Sequence, residues 1–186
     1  MKRLLVLFLA VLMIMSLTAC KEEEKVIPDT TGGHFVEIFI DSKDKELQDI
    51  ANDILGDEMF AGKSCTTTEV GEGQLQGFGN VEISGFDSAV MFSTNMSTTP
   101  FIGYVFELSS DTDKDAFMQT LKDNADLNWN GIEKADEVIV ESEGDKVVVI
   151  ITPDKIEEVE TVDESGNPVE NEIPVEGQEF VDEFAE

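Results

Sequence analysis

Hydrophobic residues recur at the spacings of strands and helices in the middle of the chain. The run Phe35-Val36-Glu37-Ile38-Phe39-Ile40 is rich in β-branched and aromatic residues and predicts a strand with most of both faces covered. A helical period follows, and it ends at Gly56. The apolar positions of this predicted helix are Leu47, Ile50, Ala51, Ile54 and Leu55.

The second half of the chain repeats this strand and helix pattern. Residues 101–108 alternate and predict a strand with Ile102, Tyr104, Phe106 and Leu108 on one face. Residues 109–123 predict a capped helix whose inner side carries Ala116, Phe117, Thr120 and Leu121. Two strands, at 138–140 and 147–151, are predicted to be joined by a hairpin turn at 143–146.

Shorter strands are predicted between these two halves, at 66–70, 81–83 and 89–92. The predicted element order is β-α-β-β-α-β-β. Helices spaced in this way usually lie on one face of a sheet that is mainly antiparallel. We therefore predict an α+β fold with two helices on one face, in a ferredoxin-like arrangement with extra strands.

The two ends of the chain have a different character from residues 34–153, which we interpret as a single domain. Residues 1–19 combine Lys2-Arg3 with an uncharged apolar run, which is the layout of a secretory signal peptide. Residues 20–33 contain three consecutive glutamates and two glycines and predict a flexible tether. Residues 154–186 are acidic and interrupted by proline and glycine, which predicts a mostly disordered tail.

The end of the apolar run, Leu17-Thr18-Ala19-Cys20, resembles the lipobox of bacterial lipoproteins. The resemblance implies cleavage between Ala19 and Cys20 and attachment of a diacylglyceryl group, with fatty acids such as palmitate, to the Cys20 thiol. It implies a protein anchored at the cell membrane and facing outside the cytoplasm. Residues 34–153 look like those of small lipoproteins that carry no assigned activity.

The charge of the chain limits its partners. The formal net charge is -29, with 41 acidic against 12 basic residues. Nucleic acid and anionic lipid head groups are negative, so direct binding to them is disfavoured. The charge allows cations or a basic protein as partners. A location at the cell envelope adds a component of the cell wall as a partner, and the membrane is contacted through the lipid on Cys20.

Signals for an enzyme are few. If Cys20 carries lipid, Cys65 has no disulfide partner within the chain, and it is either a half-buried small side chain or a reactive thiol. A nucleophilic thiol usually needs a histidine base, and the one histidine is His34. Many carboxylates are present, but their spacing singles out none as a catalytic acid or base.

The segment 126–137 resembles the calcium loop of EF-hand proteins at its oxygen positions. Asp126, Asn128 and Asn130 match the first three ligands, Gly131 matches the sharp turn, and Glu137 matches the bidentate ligand. Glu133 stands where the family has an apolar residue, and a strand is predicted where the family has its exiting helix. The sequence predicts no cofactor, and calcium at this loop is the one alternative.

Taken together, these features predict a lipid-anchored extracytoplasmic binding or interaction module that is not catalytic. One alternative is a Ca²⁺-dependent surface module that uses the loop 126–137. A second alternative is a hydrolase of the cell envelope with an unrecognised carboxylate or Cys65 site.

Overall fold

A five-stranded antiparallel sheet forms the centre of the domain. The computed structural model describes residues 26–95 and 99–156. Over these residues the chain forms three α-helices, this sheet and a separate two-stranded sheet. The predicted α+β class and the mainly antiparallel sheet are therefore confirmed.

Two of the helices precede the strands of the sheet in the sequence, and the third lies between two of those strands in the sequence. The helices are α1 (Thr31–Asp41), α2 (Leu47–Leu55) and α3 (Lys114–Asn124), with a short 3-10 turn at Glu58–Phe60. The strands are β1 (Cys65–Val70), β2 (Gly73–Gln74), β3 (Glu82–Ile83), β4 (Phe86–Thr94), β5 (Ile102–Leu108), β6 (Glu137–Glu143) and β7 (Lys146–Thr152).

The order of strands across the main sheet is β1-β4-β5-β7-β6, and β2 pairs only with β3. The strands β5 and β7 lie in the middle and are almost wholly buried, because both faces of the sheet are covered. Their near-continuous apolar sequence follows from this position, since a strand covered on both sides has no polar face.

Each face of the sheet has its own hydrophobic cluster. On the first face, α1 and α2 pack on alternate residues of the central strands, including Val105, Val148 and Ile150. On the second face, α3 and the segments at 75–83 and 125–135 pack on Tyr104, Phe106 and their neighbours. Ile102, Tyr104, Phe106 and Leu108 all belong to the second cluster, as their alternation predicts.

The segment Phe35–Ile40 is not the predicted strand but part of α1. The Thr30 hydroxyl accepts a hydrogen bond from the Gly33 N–H at 3.1 Å and caps the helix. Phe35, Val36 and Phe39 then share the buried face. A run of six residues with five apolar positions fits a strand or a buried helix, so periodicity alone could not separate the two.

The same helix changes the boundary predicted for the tether. Thr31, Gly32 and Gly33 form the first turn of α1, and both glycines are buried. A Cβ added to Gly32 would lie 2.8 Å from the Glu137 Oε1 atom and 2.9 Å from the Ile139 side chain. The glycine therefore serves close packing of α1 against β6, which composition could not distinguish from a flexible linker.

The predicted order β-α-β-β-α-β-β and the ferredoxin-like arrangement are wrong in the first half of the domain. A helix occupies the place of the first predicted strand, and the main sheet has the strand order β1-β4-β5-β7-β6. The second half retains part of the predicted topology. The strands β5 and β6 run in the same direction with β7 between them and α3 as their connection, which is a split β-α-β unit.

The predicted helix at 47–55 and the hairpin between β6 and β7 are present at the predicted positions. Two helices do share one face, but they are α1 and α2. The helix α3 lies on the opposite face, where it buries Phe117 and Leu121 and leaves Ala116 and Thr120 exposed.

Candidate functional site

A cleft of about 540 Å³ opens between the start of α2 and the end of the sheet where β1 ends and β4 begins. Four of the residues that line it are acidic, and no lysine, arginine or histidine is among them. The acidic residues are Glu46, Glu69, Asp87 and Glu107.

Antiparallel pairing brings these acids together from separate elements. Glu69 of β1 lies opposite Val90 of β4, and Ser88 of β4 lies opposite Glu107 of β5. Opposite residues project from the same face of a sheet, and Val90 packs in the cluster beneath α1 and α2. Glu69 and Glu107 therefore project on the α2 side, where Glu46 precedes the helix.

Asp87 reaches the cleft through an irregularity in β4. Phe86 pairs with Leu108 and Ser88 pairs with Glu107, so Asp87 is an extra residue without an opposite partner. Such a bulge changes the direction of a side chain relative to a regular strand. The Ser109 hydroxyl donates a hydrogen bond to the Asp87 carboxylate and fixes its position.

The cleft combines an apolar floor with a polar rim. Leu47 and Val90 are buried lining residues of the first-face cluster, whereas Glu46, Glu69 and Asp87 are exposed. Glu107 is half-buried and accepts a hydrogen bond of 3.0 Å from the Ser88 hydroxyl. An apolar floor beneath carboxylates suits a ligand that has a hydrocarbon stem and a cationic head.

The loop 126–137 has the turn that its resemblance to a calcium loop predicts. Gly131 has a φ of 68°, a left-handed conformation that suits glycine at the sharp turn. The Asp126 Oδ1 atom accepts a hydrogen bond from the Asn128 N–H at 2.9 Å. The Asn130 Oδ1 atom accepts from the Ile132 N–H at 3.0 Å, and Asn128 is exposed.

Glu137, the matched bidentate ligand, is engaged elsewhere. It is the first residue of β6, and its Oε1 atom accepts the Gly32 N–H at 2.6 Å in the first turn of α1. Within residues 26–95 and 99–156, no group of three or more His, Cys, Asp or Glu residues could hold a metal ion. Glu137, which the sequence matches to a calcium ligand, thus caps the N-terminus of α1 in the structure.

Cys65 and His34 do not form a hydrogen-bonded pair in the described parts of the chain. The His34 Nε2 atom lies 2.9 Å from the Asp57 Oδ2 atom, and Cys65 is a half-buried residue at the start of β1. Burial raises the pKa of the Cys65 thiol above its ordinary value, and the nearby charge of Lys63 offsets this only in part. The thiol therefore lacks the activation that a nucleophilic cysteine needs.

Ala19 and Cys20, the predicted cleavage and lipid attachment residues, lie outside the described residues, as does most of the predicted tail. None of the helices in the described ranges is long and apolar enough to span a membrane.

The acidic cleft has no signature in the sequence. Its four acids come from the start of α2, from β1, from a bulge in β4 and from β5. Only the register of non-local strands brings them to one place, and in a chain with 41 acids no spacing marks these four. The geometry of the sheet is thus the only signal that identifies them.

We compared the chain with protein-family models, with curated proteins and with solved structures, and none of the three comparisons gave a match.

Proposed function

We propose that this protein is a lipid-anchored, extracytoplasmic binding module that holds an organic cation in the cleft at the start of α2. The observation that carries the proposal is the composition of the cleft, in which four carboxylates surround an apolar floor without a lysine or arginine. Carboxylates arranged with one sign of charge in a cleft concentrate the field and attract a ligand of opposite sign.

The position of the carboxylates supports binding more than catalysis. Asp87 accepts a hydrogen bond from the Ser109 hydroxyl. Glu107 accepts one from the Ser88 hydroxyl. These hydrogen bonds hold the two carboxylates in place. Glu46 and Glu69 are exposed at the rim, where they can contact a cation without the cost of burial. The cleft contains neither a cysteine nor a histidine that would serve as a nucleophile or base.

The lipid anchor rests on the sequence Leu17-Thr18-Ala19-Cys20. A diacylglyceryl group supplies more than one acyl chain, which stable retention at a bilayer needs. The protein would then present its cleft outside the cytoplasm, where small organic cations and basic proteins are available as ligands.

Calcium binding by the loop 126–137 is a second candidate, and Gly131 is the observation that favours it. Calcium binding there would require Glu137 to give up its hydrogen bond from the Gly32 N–H. The cleft needs no such rearrangement, so we place it first.

The experiment is a calorimetric titration of the full chain, in a neutral detergent, with a tetralysine peptide. The double variant Glu46→Gln/Glu69→Gln removes two rim charges, and neither side chain makes a hydrogen bond or ion pair within the described residues. We expect this variant to bind the peptide at least about fivefold more weakly, since each charged contact contributes several tenths of a kcal/mol or more.

A matched control is Glu37→Gln/Glu133→Gln, which removes the same charge from exposed positions on α1 and in the loop 126–137. We expect a change below about twofold for this control, because the titration salt screens charges that are distant from the bound peptide. Equal losses in the two double variants would mean that net charge alone attracts the peptide, and the cleft would then not be the site.

A further inference from the structure

One edge of the main sheet is unprotected, and it lies beside the acidic cleft. The strand β1 is the first in the order β1-β4-β5-β7-β6 and pairs with β4 alone. Within the described residues, no backbone hydrogen bond joins the other side of β1 to another segment. The outward N–H and C=O groups of this six-residue strand are therefore open to pairing.

The other edge strand of the sheet, β6, is partly covered by a helix. At β6, the N-terminus of α1 packs against the strand, with the Gly32 N–H bound to Glu137 and the Ile139 side chain beside Gly32. Proteins usually blunt an exposed edge with lysine, proline, a bulge or a covering element. The sequence of β1, Cys65-Thr66-Thr67-Thr68-Glu69-Val70, has no lysine or proline, and its threonines favour extended structure.

The edge and the cleft are continuous. Glu69 and Val70 of β1 line the cleft, and so does Gln48, whose Nε2 atom donates a hydrogen bond of 2.6 Å to the Thr67 hydroxyl. A strand added to β1 would lie about 4.8 Å beyond it. Alternate side chains of that strand would project on the α2 side, next to Glu69 and the mouth of the cleft.

We propose that β1 accepts an extended basic peptide segment of another protein as a sixth strand, with a lysine or arginine of that segment in the cleft. This inference rests on the proposed function, because it uses the same cleft and names the partner. Backbone pairing supplies affinity for an extended chain, and the cleft supplies the preference for a basic side chain. The hydrocarbon stem of that side chain lies over Leu47 and Val90 while its charge meets the carboxylates.

Charge selects this occupant over the alternatives. A second copy of the chain, with a net charge of -29, would bring further acids to an edge that already carries Glu69. The residues beyond Ile156 are also strongly acidic, with Glu157 and Glu158 following at once. Like charges at a shared site oppose pairing, whereas a basic segment is attracted to it.

The test compares three peptides of the sequence Thr-Val-Lys-Val-Lys-Val-Thr bound to the full chain in neutral detergent. One peptide is unmodified, one carries N-methyl groups along one edge of the extended chain, and one carries them along the other edge. An N-methyl group removes a donor and blocks pairing on its side only. We expect one of the two methylated peptides to bind at least tenfold more weakly and the other to match the unmodified peptide.

Amide hydrogen exchange supplies an independent reading. We expect the unmodified peptide to slow exchange at amides of residues 65–70 more than at those of β6, because pairing protects the outward donors of β1. If all three peptides bind alike while Glu46→Gln/Glu69→Gln still weakens tetralysine, the strand inference is wrong and the proposed function stands. If neither tetralysine nor these peptides respond to that variant, both are wrong.

Two further outcomes would overturn the inference by naming another occupant. Sedimentation that shows a dimer of the free protein, together with protected β1 amides, would assign the edge to a second copy. Protected β1 amides that become exposed when residues 157–186 are removed would assign it to the chain's own C-terminal segment.

Discussion

Tyr104 connects the second face of the sheet to the segment that leads into the cleft. Its hydroxyl donates a hydrogen bond of 2.7 Å to the Gln76 carbonyl, and its ring lies 5.6 Å from the ring of Phe78. Phe78 is fully buried, so the segment between β1 and β4 is held to the sheet at two adjacent points. At its end, the Gly85 N–H donates to the Glu72 carboxylate at 2.6 Å, just before the bulge at Asp87.

The substitution Tyr104→Phe tests this connection through its dependence on pH. Burial raises the pKa of Tyr104 well above its ordinary value, and the hydrogen bond to Gln76 lowers it by less. The unfolded chain therefore loses this proton first as pH rises, and the native protein loses stability above about pH 10, by up to about 1.4 kcal/mol per unit. Below that pH the contribution is fully present.

We expect Tyr104→Phe to cost about 1–2 kcal/mol near neutral pH, because the Gln76 carbonyl loses its donor. The variant should then lose less stability than the wild type from about pH 10 to about pH 11, since it has no phenol to ionise. Urea unfolding across this range measures both effects. If the free energy of unfolding fell equally with pH in the two proteins, groups other than Tyr104 would dominate the loss of stability at alkaline pH.

At the scale of elements, α1 depends on a residue that is far away in the sequence. The helix has no acidic residue in its first turn, and Glu137 of β6 supplies the missing carboxylate at the Gly32 N–H. A negative group at this end offsets the helix dipole and satisfies a donor that has no partner within the helix. The N-terminus of the first helix is therefore fixed by the last hairpin of the sheet.

We expect Glu137→Gln to lower the free energy of unfolding by about 0.3–1 kcal/mol, because the amide keeps an acceptor but loses the charge. Glu137→Ala should cost about 1–3 kcal/mol, because it leaves the Gly32 N–H without an acceptor. Denaturant unfolding of the two variants measures the difference. Glu133→Gln, at an exposed position of the same loop, is the matched control and should change stability little.

The same variants separate the helix cap from the calcium candidate. Because Glu137 is held by α1, we expect millimolar Ca²⁺ to leave the melting temperature of the wild type unchanged. A Ca²⁺-induced rise that is lost in Glu137→Gln would instead support a calcium module at 126–137, since a ligand of the native state stabilises it by mass action.

Elements of the fold differ in how far the sequence determines them. The strand β5 and the helix α2 are set by long periodic patterns, and both occur where those patterns predict them. The segment Phe35–Ile40 is too short and too apolar to define a period, so its conformation depends on packing against β6 and the sheet. The cleft depends on register between strands that are distant in the sequence, which local patterns do not encode.

At the scale of the whole molecule, the cleft and both ends of the described chain lie on the same face of the main sheet. The first face carries α1, α2 and the cleft, and the described chain also begins and ends on this side, with Ile27 and Ile156 packed in its cluster. The Thr31 hydroxyl donates to the Asp154 carbonyl, which ties the two ends together. The proposed tether would therefore join the described chain at Val26, on the same side of the sheet as the cleft.

The proposed lipid anchor is tested by Cys20→Ala in the full chain. Without the thiol no diacylglyceryl group can be attached, so we expect loss of the lipid mass and either release from membranes or an unprocessed precursor. Cys65→Ala is the matched control, because it removes the chain's other cysteine from within the domain. Membrane fractionation followed by mass spectrometry of the N-terminal fragment measures retention, cleavage and lipid together.

The control should keep full retention, cleavage before residue 20 and the lipid mass, because the lipid signal does not involve Cys65. Retention of Cys20→Ala with the same processed mass as the wild type would remove the lipid anchor from the proposal. Binding of tetralysine by the Cys20→Ala chain would nevertheless be unchanged, since no residue that lines the cleft lies before Glu46 in the sequence. This one substitution thus tests the proposed lipid anchor separately from the proposed binding of a cation in the cleft.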